Sequence, residues 1–196
     1  MTIDFKACRT SKAGNIITPK CRMSFPVLFE AQKPPNSGEN AKKRFSIALL
    51  IPPGCDLELL KKNAKDAAIE HWGEAKIPNN LKSPFLDAGK YEYNGYEEGW
   101  VLLRPTTLNK PGLVNAKGEN VTDESEVYPG RWCVASLRAY AYDVSGNRGI
   151  SFGLQNIQLL DHDEPLGGRA RAEDEFAPVE GTDGKKATSA DDFLNS

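Results

Sequence analysis

The chain from Arg131 to Leu160 contains two runs in which apolar and polar residues alternate. A short polar connector with two glycines, residues 144–149, joins them. Alternation with a period of two is typical of half-buried strands, so this segment is predicted to form an antiparallel hairpin. In the first run one face holds small apolar residues, namely Cys133, Ala135, Leu137, Ala139 and Ala141. The opposite face holds Trp132, Val134, Ser136, Arg138, Tyr140 and Tyr142. Such an aromatic face is either core or, with its cation, a platform for stacked bases.

Three further strands are predicted at residues 20–31, 43–51 and 99–104. In the first, alternation places Cys21, Met23, Phe25, Val27 and Phe29 toward the core. Pro26 has no amide hydrogen to give to a sheet, so this strand should have a free edge or a bulge there. Arg22 and Arg44 are expected on the solvent side of the first two strands.

One amphipathic helix is predicted over residues 57–72, where the apolar spacing changes to that of a helix. Asp56 is a suitable N-cap, and Gly73 follows the last turn. The later stretch from Lys90 to Tyr96 contains three tyrosines. It is either a mobile stacking surface or a loop held to the body by its own aromatic rings.

Five strands, long loops and one helix predict a mainly β protein with the OB fold, a five-stranded Greek-key barrel. The predicted helix follows the second strand, whereas the usual OB order places it between the third and fourth. Either a strand is missing from the prediction or the helix is displaced. An open α+β sandwich is the competing architecture.

Composition limits the class of protein. The 196 residues are 39% hydrophobic and 27% charged, which suits one well-buried domain with or without an appendage. No apolar run approaches the length of a membrane span, and the first residues do not resemble a signal peptide, so a soluble protein without membrane partners is expected. The four cysteines form no CxxC pair, which predicts free thiols rather than zinc or disulfides.

Charge is distributed unevenly along the chain. Residues 1–171 contain 23 basic and 20 acidic residues, a net charge of +3, whereas residues 172–196 contain two and seven, a net charge of −5. Most of the basic excess lies in residues 1–44, which carry nine basic and three acidic residues. Such an excess is typical of a surface that binds a polyanion.

The sequence after Arg171 has no hydrophobic periodicity and is predicted to be a disordered acidic tail, residues 171–196, behind a domain of residues 1–170. Two carboxylates, Asp191 and Asp192, directly precede an apolar pair, Phe193 and Leu194. This combination either docks into a basic-rimmed pocket of a partner protein or serves only to keep the chain soluble.

The run GISFGLQNIQ at residues 149–158, followed by EPLGG at residues 164–168 and an acidic tail, resembles the single-stranded DNA-binding proteins of tailed bacteriophages. The match is close to an enterobacterial phage member. The resemblance implies an OB fold, binding of single-stranded DNA without sequence preference, and a tail that contacts replication partners and competes with DNA. Proteins of this functional class end with an aromatic residue near the carboxyl terminus, whereas here Phe193 is followed by three more residues.

The expected role is a protein that coats single-stranded DNA during phage replication, recombination or repair in the cytoplasm of the infected host. Self-association along the DNA is left open, and no cofactor or metal is predicted. The predicted phosphate contacts are Arg22, Lys43, Arg44, Arg104, Arg138 and Arg148. The predicted stacking residues are Trp100, Trp132, Tyr140 and Tyr142.

Two alternative functions have weaker support. The acidic run from Asp161 to Glu164 is the only candidate for a nuclease metal cluster, but consecutive residues of an extended chain point apart and rarely share one ion. No motif of a nucleotide-binding or hydrolytic enzyme is present in the sequence. A virion or scaffold protein would carry aromatic and basic residues on one surface only by accident.

Overall fold

A computed structural model describes residues 3–167 and contains ten strands and one α-helix in that part of the chain. The helix α1 spans Glu58–Trp72. The strands are β1 (Arg9–Thr10), β2 (Ile16–Ile17), β3 (Cys21–Gln32), β4 (Arg44–Ile51), β5 (Leu86–Asp87), β6 (Val101–Leu103), β7 (Thr106–Thr107), β8 (Gly112–Val114), β9 (Trp132–Val144) and β10 (Asn147–Leu159). The predicted boundary at residue 170 and the predicted disordered tail lie outside the described residues.

The predicted hairpin is confirmed as the long antiparallel pair of β9 and β10. Its two-residue turn, Ser145 and Gly146, has φ angles of 51° and 80°. Two positive φ angles fit the right-handed twist of the flanking strands, which is why a glycine stands there. The alternation in β9 is also as predicted, since its small apolar face packs into the core.

The helix α1 packs against the same inner face of β9. Its apolar residues Leu60, Ala64 and Ala68 are buried in the core. The Asn63 side chain accepts a hydrogen bond from the Ala139 amide at 2.7 Å. The predicted N-cap at Asp56 is wrong by one residue, because the helix begins at Glu58 and its N-cap is Leu57, which has no side chain able to accept a capping hydrogen bond. The Asp56 carboxylate still accepts a hydrogen bond from the Glu58 amide at 2.9 Å.

Six of the ten strands close into a five-stranded barrel, in which β6 and β7 together form the third strand between β4 and β9 in chain order. β3 pairs with both β4 and β9, β9 pairs with β10, β10 with β7, and β7 with β4. The predicted strand at residues 99–104 forms β6, and after Pro105 the chain pairs with β4 again as β7. The predicted five-stranded barrel of the OB type is therefore confirmed, and the helix is displaced to follow the second barrel strand.

A bulge interrupts β3 at Pro26, as the missing amide hydrogen predicts. The register with β4 shifts between Ser24 and Val27, and Phe25 adopts a φ of 45°. The prediction that Phe25 and Val27 face the core is wrong, because the bulge reverses the alternation. Phe25 is 55% exposed, and Leu28 takes the core position instead at 4% exposure.

A second apolar cluster lies on the outer face of the barrel and consists of Ala48, Leu50, Ala88, Tyr96 and Leu102. It forms because the segment from Ala88 to Trp100 folds back over β4 and β6. Part of the outer face is thereby covered. Within residues 3–167 no helix has the length and apolar character that crossing a bilayer requires.

Candidate nucleic-acid interface

A row of small residues crosses the uncovered outer face of the barrel. Ser46 of β4 pairs with Thr106 of β7, Thr106 pairs with Gly153 of β10, and Gly153 pairs with Arg138 of β9. Residues that pair across adjacent strands point to the same side of the sheet. The row is therefore a shallow strip that ends at the exposed Arg138 side chain.

Two tyrosines stand beside this strip on the hairpin. Tyr140 pairs with Ser151 and is 42% exposed, and Tyr142 pairs with Gly149. A side chain at position 149 would lie 2.7 Å from both the Tyr142 hydroxyl and the Lys82 carbonyl, so only glycine fits there. We call the surface formed by Arg138, Tyr140, Tyr142, Gly149, Ser151 and Gly153 the hairpin strip.

A cleft of about 370 Å³ adjoins the hairpin strip. Its lining residues are Lys82, Ser83, Pro84, Leu86, Arg104, Tyr142, Ile150, Ser151 and Phe152. Arg104 is placed over the Tyr91 ring, with its Cζ 4.5 Å from the ring centroid. The fold thus brings Arg104 and Tyr142, two predicted DNA contacts, into one concave site.

Three other predicted contacts meet at the opposite end of the outer face. The rings of Trp100 and Trp132 are 6.5 Å apart, and the Arg22 Cζ lies 5.7 Å from the Trp132 ring centroid. Lys20, which was not predicted as a contact, lies over the same ring at 4.9 Å. We call this group, Lys20, Arg22, Trp100 and Trp132, the tryptophan end.

The chain that leaves β10 covers the tryptophan end. Trp132 Nε1 donates a hydrogen bond to Asp163 Oδ2 at 2.7 Å, and Arg22 Nη2 donates one to the Glu164 carbonyl at 2.7 Å. Arg22 Nη2 also lies 3.6 Å from the Asp163 carboxylate. The pKa of Asp163 is lowered, first by the hydrogen bond from the Glu164 amide, then by the one from Trp132, and further by the Arg22 charge. The polar groups of Trp132 and Arg22 are therefore bound within the protein.

The remaining predicted cations lie around the strip. Arg44 begins β4 two residues before Ser46 and on the same face, and Lys43 is exposed just ahead of it. Arg148 lies at the start of β10, with its Nε 3.6 Å from the Asp143 carboxylate. These three flank the barrel face and do not join the cleft.

The sequence prediction missed the exposed aromatic pair of Phe25 and Tyr93. Their rings are 5.1 Å apart at an edge-to-face angle, and Tyr93 is 51% exposed. Within the same loop Tyr96 is only 9% exposed, and its burial raises its pKa. Tyr96 is therefore held to the body by its own ring, as one of the two interpretations predicts, whereas the other interpretation, a mobile stacking surface, stays a prediction. Pro26 is the sequence feature that could have indicated this pair, since the bulge that it causes turns Phe25 outward.

The acidic run at residues 161–164 does not form one cluster. Asp161 pairs with Lys20, and Asp163 pairs with Trp132 and Arg22. The Nδ1 atom of His162 lies 3.0 Å from both the Tyr128 hydroxyl and Arg131 Nη1. In the described part of the chain, no group of three His, Cys, Asp or Glu side chains is arranged to hold a metal ion.

Comparison with known proteins agrees with this architecture. The single-stranded DNA-binding protein from bacteriophage Enc34, solved in complex with single-stranded DNA, has 19% identity and a TM-score of 0.66, covering 85% of this chain and 96% of that one. The single-stranded DNA-binding protein gp2.5 of bacteriophage T7 has 14% identity and a TM-score of 0.54, covering 80% and 97%. At these identities the likeness shows the fold alone. No curated protein gave a significant sequence match.

The profile of one family, described as Enterobacter phage Enc34, ssDNA-binding protein, matches residues 14–194. The matched region includes the barrel, the covering segment after β10 and most of the acidic tail. The chain therefore belongs to the Enc34 single-stranded DNA-binding protein family.

Proposed function

We propose that this protein coats and protects single-stranded DNA, without sequence preference, during phage DNA replication, recombination or repair in the cytoplasm of the infected bacterium. One observation carries the proposal: an open strip of small residues, flanked by exposed tyrosine and arginine side chains, crosses the outer face of a barrel in this family. OB barrels bind oligonucleotides on the face of their second and third strands, which correspond here to β4 and to β6 with β7.

The mechanism is physical rather than catalytic. Tyr140 and Tyr142 offer ring faces to successive bases, and every base can stack because every base has a π face. Arg138 and Arg104 lie at the two sides of these rings and neutralise phosphates. The small residues of the strip allow the nucleic acid to approach the sheet closely.

Phosphate contacts make the affinity depend on salt. Each neutralised phosphate releases counterions, so the logarithm of the binding constant falls with that of salt concentration by about 0.7 per contact on a single strand. Arg44, Lys43 and Arg148 contribute through this general attraction, since they lie outside the cleft.

The proposed division is a DNA-binding domain of residues 1–170 followed by an acidic tail of residues 171–196. The net charge of −5 in residues 172–196 lets the tail compete with DNA for the basic side chains in and around the hairpin strip. Asp191, Asp192, Phe193 and Leu194 would contact a phage or host replication protein. These four residues lie outside the described part of the structure, so this assignment rests on sequence and on the family.

The alternatives of a nuclease and of a virion or scaffold protein are not favoured, because the family consists of single-stranded DNA-binding proteins and this chain is not an enzyme. A gel-shift titration with oligo(dT), with a mixed-sequence single strand and with the corresponding duplex tests the proposal. We expect similar shifts for both single strands, a weaker one for the duplex and intact DNA after incubation with Mg²⁺. Loss of the labelled strand, or no shift of any single strand, would contradict it.

A further inference from the structure

The cleft beside the hairpin strip lies where the barrel is only narrowly closed. β10 and the third barrel strand are joined through one residue pair, Gly153 with Thr106. Beyond this pair, residues 82–86 lie between β10 and β6 and bridge them. The Lys82 amide donates to the Arg148 carbonyl at 3.0 Å, and the Lys82 carbonyl accepts from the Ile150 amide at 3.1 Å. At its other end this bridge pairs with β6 through Leu86 and Leu102.

The cleft beside this bridge is lined in part by two residues of the core. Its floor contains Ile150 and Phe152, and Phe152 is only 2% exposed. The Phe85 ring meets the Phe152 ring edge-to-face at 5.7 Å and holds it in place. The floor is therefore apolar, aromatic and fixed, which favours a flat apolar group over a hydrated one.

The rim of the cleft has the opposite character. Lys82 and Arg104 supply two positive charges, the Tyr142 hydroxyl and two serines supply hydrogen-bonding groups, and no lining residue is acidic. Arg104 is pre-positioned, since its guanidinium rests on the Tyr91 ring. An apolar floor below a cationic rim matches a nucleotide, whose base is flat and apolar on its faces and whose phosphate is anionic.

We propose that the cleft is a nucleotide subsite that takes one base out of the bound strand, while its phosphate lies between Lys82 and Arg104. This inference rests on the proposed function and adds to it a fixed pocket beside the open strip. The volume of about 370 Å³ is at the lower end of the range for small-molecule sites, so it suits a single nucleotide rather than a partner protein. The strand would then pass from the strip over Tyr142, which belongs to both surfaces.

Crosslinking of full-length protein to oligo(dT) carrying 5-iododeoxyuridine, followed by peptide mapping, tests the subsite. We expect a crosslink to Phe152, which lines the cleft and is not part of the hairpin strip, together with crosslinks to Tyr140 and Tyr142. Crosslinks confined to Tyr140 and Tyr142 would overturn the subsite and leave the proposed function standing. Failure of the protein to bind any oligonucleotide would overturn the proposed function itself.

A variant whose side chain fills the cleft provides a second test of the subsite. Ser151→Leu places a larger side chain at the cleft wall, and Ser125→Leu makes the same change at an exposed position that belongs neither to the cleft nor to the hairpin strip. Ser151→Leu should abolish the cleft crosslink, keep the Tyr140 crosslink and weaken oligo(dT) binding by roughly 5- to 150-fold, the value of one stacked base. Ser125→Leu should change neither the crosslinks nor the affinity. Wild-type affinity and crosslinks in a folded Ser151→Leu protein would refute the subsite.

Lys82→Ala keeps the inference testable if Ser151→Leu does not fold. Lys82 is exposed on the bridge, outside the core, and Lys117 is an exposed lysine far along the chain for a matched control. Lys82→Ala should lower the salt slope of oligo(dT) binding by about 0.7, whereas Lys117→Ala should leave the slope unchanged. Equal slopes for both variants and the wild type would count against the phosphate position.

Discussion

The two ends of the outer barrel face contain the same kinds of residue and differ in what those residues bind. At the tryptophan end, Trp132 and Arg22 donate hydrogen bonds to Asp163 and Glu164 of the same chain. At the hairpin strip, Tyr140 and Arg138 are exposed to solvent. Aromatic and basic side chains on one strand face therefore do not by themselves identify a ligand surface. What distinguishes the two ends is whether the protein already satisfies the polar groups.

This difference has an energetic consequence for DNA binding. DNA at the tryptophan end would have to displace the Asp163 carboxylate, exchanging one set of hydrogen bonds for another with little net gain. DNA at the hairpin strip would not have to displace a carboxylate of the chain, since Arg138 and Tyr140 are exposed, so stacking and phosphate contacts there give the larger net gain. We therefore expect substitutions at the strip to change affinity and substitutions at the tryptophan end to change stability.

The largest expected effect is that of Arg138→Ala combined with Tyr140→Ala. Loss of one stacked base corresponds to roughly 5- to 150-fold in affinity, and loss of one phosphate contact also lowers the salt slope by about 0.7. Fluorescence anisotropy with oligo(dT) and with a mixed-sequence strand should show the same loss for both. The melting temperature should stay near that of the wild type, because both side chains are exposed.

A matched control for this variant is Lys117→Ala, which removes an exposed positive charge outside the hairpin strip. It should bind as the wild type does. Unchanged affinity of the Arg138 and Tyr140 double variant would mean that the hairpin strip is not the binding face. The comparison between the hairpin strip and the tryptophan end would then no longer hold.

A smaller change in affinity, in the opposite direction, is expected when residues 172–196 are deleted. The deletion removes a tethered net charge of −5, which we propose competes with DNA for the basic side chains in and around the hairpin strip. Anisotropy titrations at low salt should show several-fold tighter binding, and the gain should vanish at high salt as screening removes the competition. Equal or weaker binding after the deletion, at every salt concentration, would contradict tail competition.

Trp132→Phe tests the tryptophan end. It keeps a ring but loses the hydrogen bond from Nε1 to Asp163, which we expect to lower the free energy of unfolding by about 1 kcal/mol. Urea denaturation measures this loss, and oligo(dT) affinity should remain within about twofold of the wild type on the same reasoning. If the affinity for oligo(dT) fell as far as in the Arg138 and Tyr140 double variant while the free energy of unfolding was unchanged, Trp132 would be a DNA contact.

The smallest expected effect concerns pH. The pKa of Asp163 is lowered in the folded protein, so its ionised form stabilises that state above the ordinary carboxyl value of 3.8. This contribution is lost as the pH falls through the lowered pKa, where the contact with Trp132 should weaken. Tryptophan fluorescence between pH 5 and acid conditions should change over this window in the wild type. The change should be absent from Asp163→Asn, and an identical titration in both proteins would assign it to another group.

Local patterns were sufficient to predict most of the fold. The period of two in β9 and β10 and the polar connector between them depend on residues close in sequence, and both are confirmed. The bulge at Pro26 was also predictable, because a missing amide hydrogen is a local property. Its effect on Phe25 was not, since the direction of the chain after a bulge depends on how the strand pairs again with β4.

The covered state of the tryptophan end could not be predicted from the pattern. Arg22 and Glu164 are 142 positions apart, and their contact exists only because β3, β9 and the chain after β10 meet at one edge of the barrel. The cleft has a similar origin, since Arg104 and Tyr142 meet through the bridge of residues 82–86. Alternation identifies the face of a residue, whereas tertiary pairing decides whether that face remains free.

Hydroxyl-radical footprinting of the full-length protein, with and without saturating oligo(dT), tests the central comparison most directly. Tyr140 and Tyr142 report on the hairpin strip, and Trp100 and Trp132 report on the tryptophan end, within one experiment. We predict strong protection of the first pair by DNA and little change in the second. Protection confined to Trp100 and Trp132, with Tyr140 still fully reactive, would contradict the account.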